Sequence, residues 1–157
     1  KDQSVVLLGA GGAARAVAAA LQDYGVGKIY LVNRTLERAE HIRDDLGGNI
    51  IAVDWKERTE VLPDTKLLVN TTTLGMVGQP ALEINLESLS VLAIVSDVIY
   101  SPLMTDLLDS AAKRGNPVVD GLGMLLHQGR PGFGAWFGRE PKVTEALRAH
   151  VLDQSAA

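Results

Sequence analysis

Val5-Val6-Leu7-Leu8-Gly9-Ala10-Gly11-Gly12-Ala13-Ala14-Arg15 joins four apolar residues to a Gly-x-Gly-x-x-Ala turn and then to an alanine-rich helical pattern. That is the order of strand, tight turn and helix start that holds a dinucleotide pyrophosphate. Gly9 permits the tight turn off the strand, Gly11 removes a side chain where backbone must approach the phosphates, and Ala14 keeps the helix close to the sheet. The N–H groups of the first helical turn, with Gly12 and Ala13 among its residues, then face two negative charges. A glycine-rich turn also serves flexible loops and close helix packing, so the motif needs a second element.

Lys28-Ile29-Tyr30-Leu31-Val32-Asn33 is that element, a β-rich run at the right distance. Its end is where an NAD site carries Asp or Glu to accept bonds from the ribose hydroxyls. Here Asn33 stands there and Arg34 follows. An acid would repel a 2′-phosphate, whereas a guanidinium grips it through charge-assisted bonds worth roughly 1.5–3 kcal/mol each. The expected cofactor is NADP rather than NAD. Thr35 opens the next helix as its N-cap, with Glu37 in the first turn. Arg38 is either a solvated helix residue or a second phosphate ligand, since like charges four apart repel unless an anion lies between them.

Strand-like runs at Ser4–Gly9, Lys28–Asn33, Ile50–Val53, Leu67–Asn70, Val91–Val98 and Pro117–Asp120 alternate with helical patterns. The helices are expected at Ala13–Tyr24, Thr35–Leu46 and Thr105–Arg114, with a shorter one at Trp55–Leu62 and a last one at Lys142–Leu152. Continuous apolar strands in alternation with helices predict an α/β fold, a doubly wound, Rossmann-like parallel sheet covered on both faces. The first helix, around Ala16, Val17, Ala20 and Leu21, is rich in small residues suited to close packing. Gly129-Arg130-Pro131-Gly132-Phe133-Gly134 reads as punctuation before a differently composed tail. We therefore expect a nucleotide-binding domain over residues 1–121 and a helical segment over 122–157.

With 157 residues, 46% of them hydrophobic, the chain can bury one substantial core. Its net charge of −4 gives no general attraction to nucleic acid or an anionic membrane, so an anion must be held by local positive charge. There is no cysteine, and His41, His127 and His150 lack ligand-like spacing, so no metal is expected. The apolar runs are strand-length and no leader pattern opens the sequence, which makes a soluble cytoplasmic protein the expectation. Lys1 is not an initiating methionine and the first strand begins almost at once, as in a fragment of a longer chain.

Four further segments narrow the class: Asn70-Thr71-Thr72-Thr73-Leu74-Gly75-Met76, Asp97-Val98-Ile99-Tyr100-Ser101-Pro102-Leu103-Met104-Thr105, Gly121-Leu122-Gly123-Met124-Leu125-Leu126-His127-Gln128, and Phe133 with Trp136. Together with the glycine turn and Asn33-Arg34-Thr35-x-x-Arg38, they resemble the NADP-binding half of the shikimate dehydrogenase family from Val5 to about Leu152. The resemblance implies NADPH-dependent reduction of 3-dehydroshikimate to shikimate, on the way to aromatic amino acids. It also implies that Gly9, Ala10, Gly11, Gly12 and Ala13 hold the pyrophosphate and that Asn33, Arg34, Thr35 and Arg38 surround the adenosine phosphate. Thr71 would lie along the cofactor, Val98 and Gly121 beside the nicotinamide, and Met124 against that ring. Tyr100 and Gln128 match the positions that reach the substrate. Read alone, Tyr100 is a strand-end aromatic of the core and Gln128 a solvated helix residue.

Two departures from the family pattern are Thr73, where many members have proline or serine, and the Gly-Pro stretch from Gly129. Asp97 and Asp120 end strands beside the cleft and read as hydrogen-bonding caps rather than acids. The lysine and aspartate that the family uses for proton transfer belong to motifs absent from this sequence, so no catalytic residue is assigned and binding without turnover is expected. The final helices of the family return to an N-terminal substrate domain. Met124, Leu125, Leu126, Phe133, Trp136 and Phe137 are accordingly expected to form an apolar surface without its cover, favouring self-association. Alternatives within enzymes are a quinate/shikimate dehydrogenase and the nucleotide domain of glutamyl-tRNA reductase, which shares an Asn-Arg-Thr turn. Outside enzymes they are a non-catalytic NADP-binding module and a methyl-donor site, the latter disfavoured by Asn33-Arg34 in place of an acid.

Overall fold

Alternate residues of β1 (Ser4–Leu8) enter two different cores: Val5 and Leu7 on one face, Val6 and Leu8 on the other. Burial on both faces is why this strand is continuously apolar. The computed structural model describes residues 3–155. After β1 come α1 (Gly12–Asp23), β2 (Lys28–Asn33), α2 (Leu36–Leu46), β3 (Ile50–Asp54), β4 (Thr65–Asn70), β5 (Ile94–Asp97), α3 (Asp106–Arg114), β6 (Val118–Val119), α4 (Leu122–Phe137) and α5 (Glu145–Ser155). The six strands form one parallel sheet in the order β3-β2-β1-β4-β5-β6. This is the doubly wound architecture expected from the sequence.

On one face, Ala14 and Ala18 of α1 and Ala39 and Ile42 of α2 close over Val5, Leu7, Ile29, Leu31 and Val69. Ala16 and Ala20, which the sequence suggested for this packing, are exposed, because the stripe that touches the sheet repeats at Ala14 and Ala18. On the other face, Leu107, Leu108 and Ala111 of α3 cover Val6, Leu8, Leu68 and Val95. Leu82, Leu86 and Leu89 join them from the segment between β4 and β5, which has no regular helix. α3 carries matched end signals: the Thr105 hydroxyl accepts from the Leu108 N–H, and Gly115 ends the helix at φ +93°.

Three expectations are corrected. The helix expected over Trp55–Leu62 is a 3₁₀ turn at Trp55–Glu57 followed by further turns, in which Arg58, Glu60 and Leu62 each donate three residues back. Asp54 caps that turn by accepting from the Lys56 N–H at 2.8 Å. The strands expected at Val91–Val98 and Pro117–Asp120 are shorter, with Val91 and Leu92 exposed ahead of β5. The expected break at Gly129–Gly134 does not occur, since α4 runs through Pro131 to Phe137. The glycines there stay out of the left-handed region, and the Phe133 and Phe137 rings meet at 4.5 Å one turn apart. Arg130 fastens the same turn to the Pro141 carbonyl at 2.9 Å and to Glu140 at 3.2 Å. Punctuation falls instead at Gly138, with φ +73°.

Candidate functional site

Strand order reverses beside β1: β2 and β3 lie to one side, β4, β5 and β6 to the other. Loops leaving the C-terminal ends of the strands diverge at such a point and leave a crevice. The crevice here is a groove of about 220 Å³ lined by Gly9, Ala10, Gly11, Asn33, Arg34, Arg38, Trp55 and Thr71–Leu74. A larger cleft of about 560 Å³ lies at the opposite ends of the strands, against Ser4, Lys28, Tyr30, Asp64 and Lys66. None of its lining residues, Gly27 included, begins a helix, so volume alone does not mark the site.

The floor of the groove is built from backbone. Gly9 sits at φ +105°, where an added Cβ would also come within 2.8 Å of Thr72 Cγ2 and 3.0 Å of Thr71 Oγ1. Its N–H donates to the Val32 carbonyl at 2.7 Å. From the other side, both the N–H and the hydroxyl of Thr71 donate to the Leu8 carbonyl, at 2.9 and 2.6 Å. The turn is thus held by both neighbours of β1. At Gly11 and Gly12 an added Cβ would meet nothing within 4 Å, so the space over the start of α1 is open. Gly11 offers α1 no side-chain cap, and no acid stands in the first turn. The helix therefore directs its N–H groups and positive end into that space uncompensated.

Charge is arranged to match. Arg34 and Arg38 are exposed and, among the described residues, make no ion pair or side-chain hydrogen bond. Neighbouring arginines are already paired, Arg15 with Asp45 at 2.7 Å and Arg43 with Asp44 at 2.8 Å. Two uncompensated guanidiniums, Arg34 on the turn before α2 and Arg38 in its first turn, lie beside a cradle of open N–H groups and form a place for a phosphorylated ligand. The Asn33 side chain donates to the Thr35 carbonyl at 2.8 Å, which shapes the turn that presents Arg34. Thr35 occupies the N-cap position of α2, but its hydroxyl makes no capping bond, so that part of the expectation is corrected.

Beyond the groove, the β4 and β5 ends are joined by a buried polar network. Asn70 Nδ2 donates to Asp97 Oδ1 and Oδ2, both at 3.1 Å, and to the Leu74 carbonyl. Asp97 also accepts from the Ile99 N–H and the Thr105 hydroxyl, at 3.0 and 2.8 Å. Burial raises the Asp97 carboxyl above its ordinary value, against the lowering effect of these bonds. Asp120 accepts from the Leu122 N–H at 3.0 Å and pairs with Arg148 of α5. Both acids sit where the sequence suggested caps.

The remaining candidates lie outside the groove. Val98 and Gly121 adjoin each other: the Gly121 N–H donates to the Ile99 carbonyl, and a Cβ there would lie 2.4 Å from the Val98 and Ile99 carbonyl oxygens. Met124 is half-buried on α4, and Gln128 is exposed one turn further on. Tyr100 is exposed rather than a core aromatic. Of the expected apolar surface, Phe133, Trp136 and Phe137 are exposed while Met124, Leu125 and Leu126 are half-buried. Sequence reasoning did not single out Trp55, Thr72 or Leu74 for the groove. The aromatic directly after β3 was the available signal for the first.

A parallel sheet of this order, with a glycine turn under its switch point, places the chain among Rossmann-like α/β domains. The family model for shikimate / quinate 5-dehydrogenase matches residues 1–77. Over 146 residues the chain is 59% identical to the shikimate dehydrogenase (NADP(+)) of Paramagnetospirillum magneticum, covering 93% of this chain and 53% of that protein. Over nearly its whole length the chain is similar to shikimate dehydrogenases. Among solved structures, the quinate dehydrogenase of Corynebacterium glutamicum in complex with NAD superposes with a TM-score of 0.86 at 33% identity, over 98% of this chain and 56% of that one. Shikimate 5-dehydrogenase of Thermus thermophilus, in complex with NADP(H) and shikimate, does so at 0.75 and 34%, over 88% and 50%. The chain spans about half the length of the curated relatives it matches.

Proposed function

We propose that this chain is the coenzyme-binding half of an NADP-dependent shikimate dehydrogenase. The single observation that carries the reading is the pair of guanidiniums, Arg34 and Arg38, without partners among the described residues, at the rim of β2 beside the glycine cradle. In it, Gly9 to Ala13 receive the pyrophosphate on backbone N–H groups, and Asn33, Arg34, Thr35 and Arg38 surround the adenosine 2′-phosphate. Thr71 holds the middle of the coenzyme against the sheet. Val98 and Gly121 form the end of the cleft where the nicotinamide belongs, with Met124 beside it, and Tyr100 and Gln128 approach the substrate.

The bound nicotinamide would supply the hydride that reduces the carbonyl of 3-dehydroshikimate. This half binds and orients. Proton transfer belongs to residues of a substrate domain to which residues 122–157 return, and the exposed Phe133, Trp136 and Phe137 would lie on that returning segment or mediate self-association without it. Quinate is the second reading for the substrate, favoured by the structural match to a quinate dehydrogenase.

Calorimetric titration of the chain with NADPH and NADH tests the proposal. Clear preference for NADPH is expected, and equal affinities would sink the assignment.

A further inference from the structure

The groove described above has cations for phosphates and N–H groups for a pyrophosphate, yet a dinucleotide also carries a planar, apolar adenine. Its polar walls leave one large aromatic surface, the indole of Trp55. We infer that Trp55 is the wall against which the adenine packs, and so a determinant of affinity for the adenosine half of the coenzyme. The inference rests on the dinucleotide reading and deepens it.

Position supports this. The glycine turn after β1 divides the crevice, and Arg34 places the 2′-phosphate on the β2 side. On that same side of the turn the next strand is β3, whose last residue is Asp54, and there the crevice has room for the base attached to that ribose. Trp55 is the next residue, and it lines the groove together with Arg34 and Arg38.

The indole is also held in place before any ligand arrives. Asp54 caps the turn that carries it, accepting from the Lys56 N–H at 2.8 Å. The Arg58 guanidinium lies 5.3 Å from the ring centroid and donates to the Trp55 carbonyl at 3.0 Å and to the Glu83 carbonyl at 3.2 Å. Trp55 is half-buried and packs against the core cluster that includes Val53 and Leu62. A fixed aromatic surface loses little side-chain entropy when a base stacks on it.

The chain has two tryptophans, Trp55 and the exposed Trp136. In Trp136→Phe, the remaining emission comes from Trp55 and should be quenched on titration with adenosine 2′,5′-bisphosphate, saturating together with the calorimetric signal. Trp55→Ala should weaken NADPH and NADH alike, by about tenfold, as expected for loss of one base–aromatic stack. Trp55→Phe should restore most of the affinity, whereas Arg34→Ala should weaken NADPH far more than NADH. Unquenched Trp55 emission at saturating bisphosphate overturns the inference, as does parental affinity in Trp55→Ala, with the coenzyme reading left standing. A parent chain that binds neither nucleotide overturns both.

Discussion

The Thr71 hydroxyl donates to the Leu8 carbonyl at 2.6 Å and so fastens the end of β4 to the end of β1 across the line where the strand order reverses. That bond sits beside Gly9, whose missing side chain leaves room for Thr71 Oγ1 at 3.0 Å from where a Cβ would be. Turn, strand ends and groove floor are therefore one hydrogen-bonded unit, and substitutions in it divide into those that disturb the fold and those that disturb only the ligand.

Arg34→Ala should leave the melting temperature unchanged, because the side chain has no partner among the described residues. Loss of a charge-assisted bond of roughly 1.5–3 kcal/mol should lower NADPH affinity about 10- to 100-fold. NADH affinity should not move. Calorimetry with both nucleotides checks it.

Gly11→Ala and Gly121→Ala should separate binding from folding. At Gly11 the added methyl enters open space, so thermal unfolding should be near parental while NADPH binding is lost to the methyl in the pyrophosphate's place. At Gly121 the methyl would lie 2.4 Å from two backbone carbonyl oxygens, and overpacking against backbone should cost at least about 1–3 kcal/mol. Parental stability of Gly121→Ala would contradict the packing described.

Asp97 gives a pH dependence. Its carboxyl is raised in the folded protein chiefly by burial, so the folded state holds the proton more tightly than the unfolded chain, whose ordinary value is 3.8. Its stabilising contribution is complete below that value and is lost as pH rises through the folded one. The stability of the parent minus that of Asp97→Asn should therefore fall as pH rises from about 4 and level off once the folded group is ionised. Urea midpoints across that range measure the difference, and a rising one would mean that the bonds from Asn70, Ile99 and Thr105 outweigh burial.

Arg148→Ala should loosen α5 without touching the groove. The guanidinium pairs with Asp120 between the end of β6 and the start of α4. Faster amide exchange over Glu145–Asp153, with NADPH affinity retained, is the expected result.

How legible the chain is depends on which force decides each segment. β2 is readable to the residue, Lys28–Asn33, because its hydrophobic run is bounded by glycine on one side and a helix start on the other. Val118–Val119 is short because only those two residues pair with β5, an extent that hydrophobicity does not reveal. Pro131 and the glycines around it carry the local signals of a break, yet ring packing and the Arg130 bonds override them. In the site, Gly9 and Arg34 are legible from motif and spacing, and Thr71 only from the family resemblance. Trp55 is not, since it stands in a 3₁₀ turn with the Arg58 guanidinium beside its ring where the sequence suggests a regular helix.

Anchoring of Gly9 to Val32 on one flank, and of Leu8 to Thr71 on the other, has a kinetic consequence. A loop whose shape is set by three strands need not wait to be moulded by its guest. Docking onto it should follow a single bimolecular phase at each concentration, with a rate constant governed by diffusion and orientation and free of a slower unimolecular rearrangement at the turn.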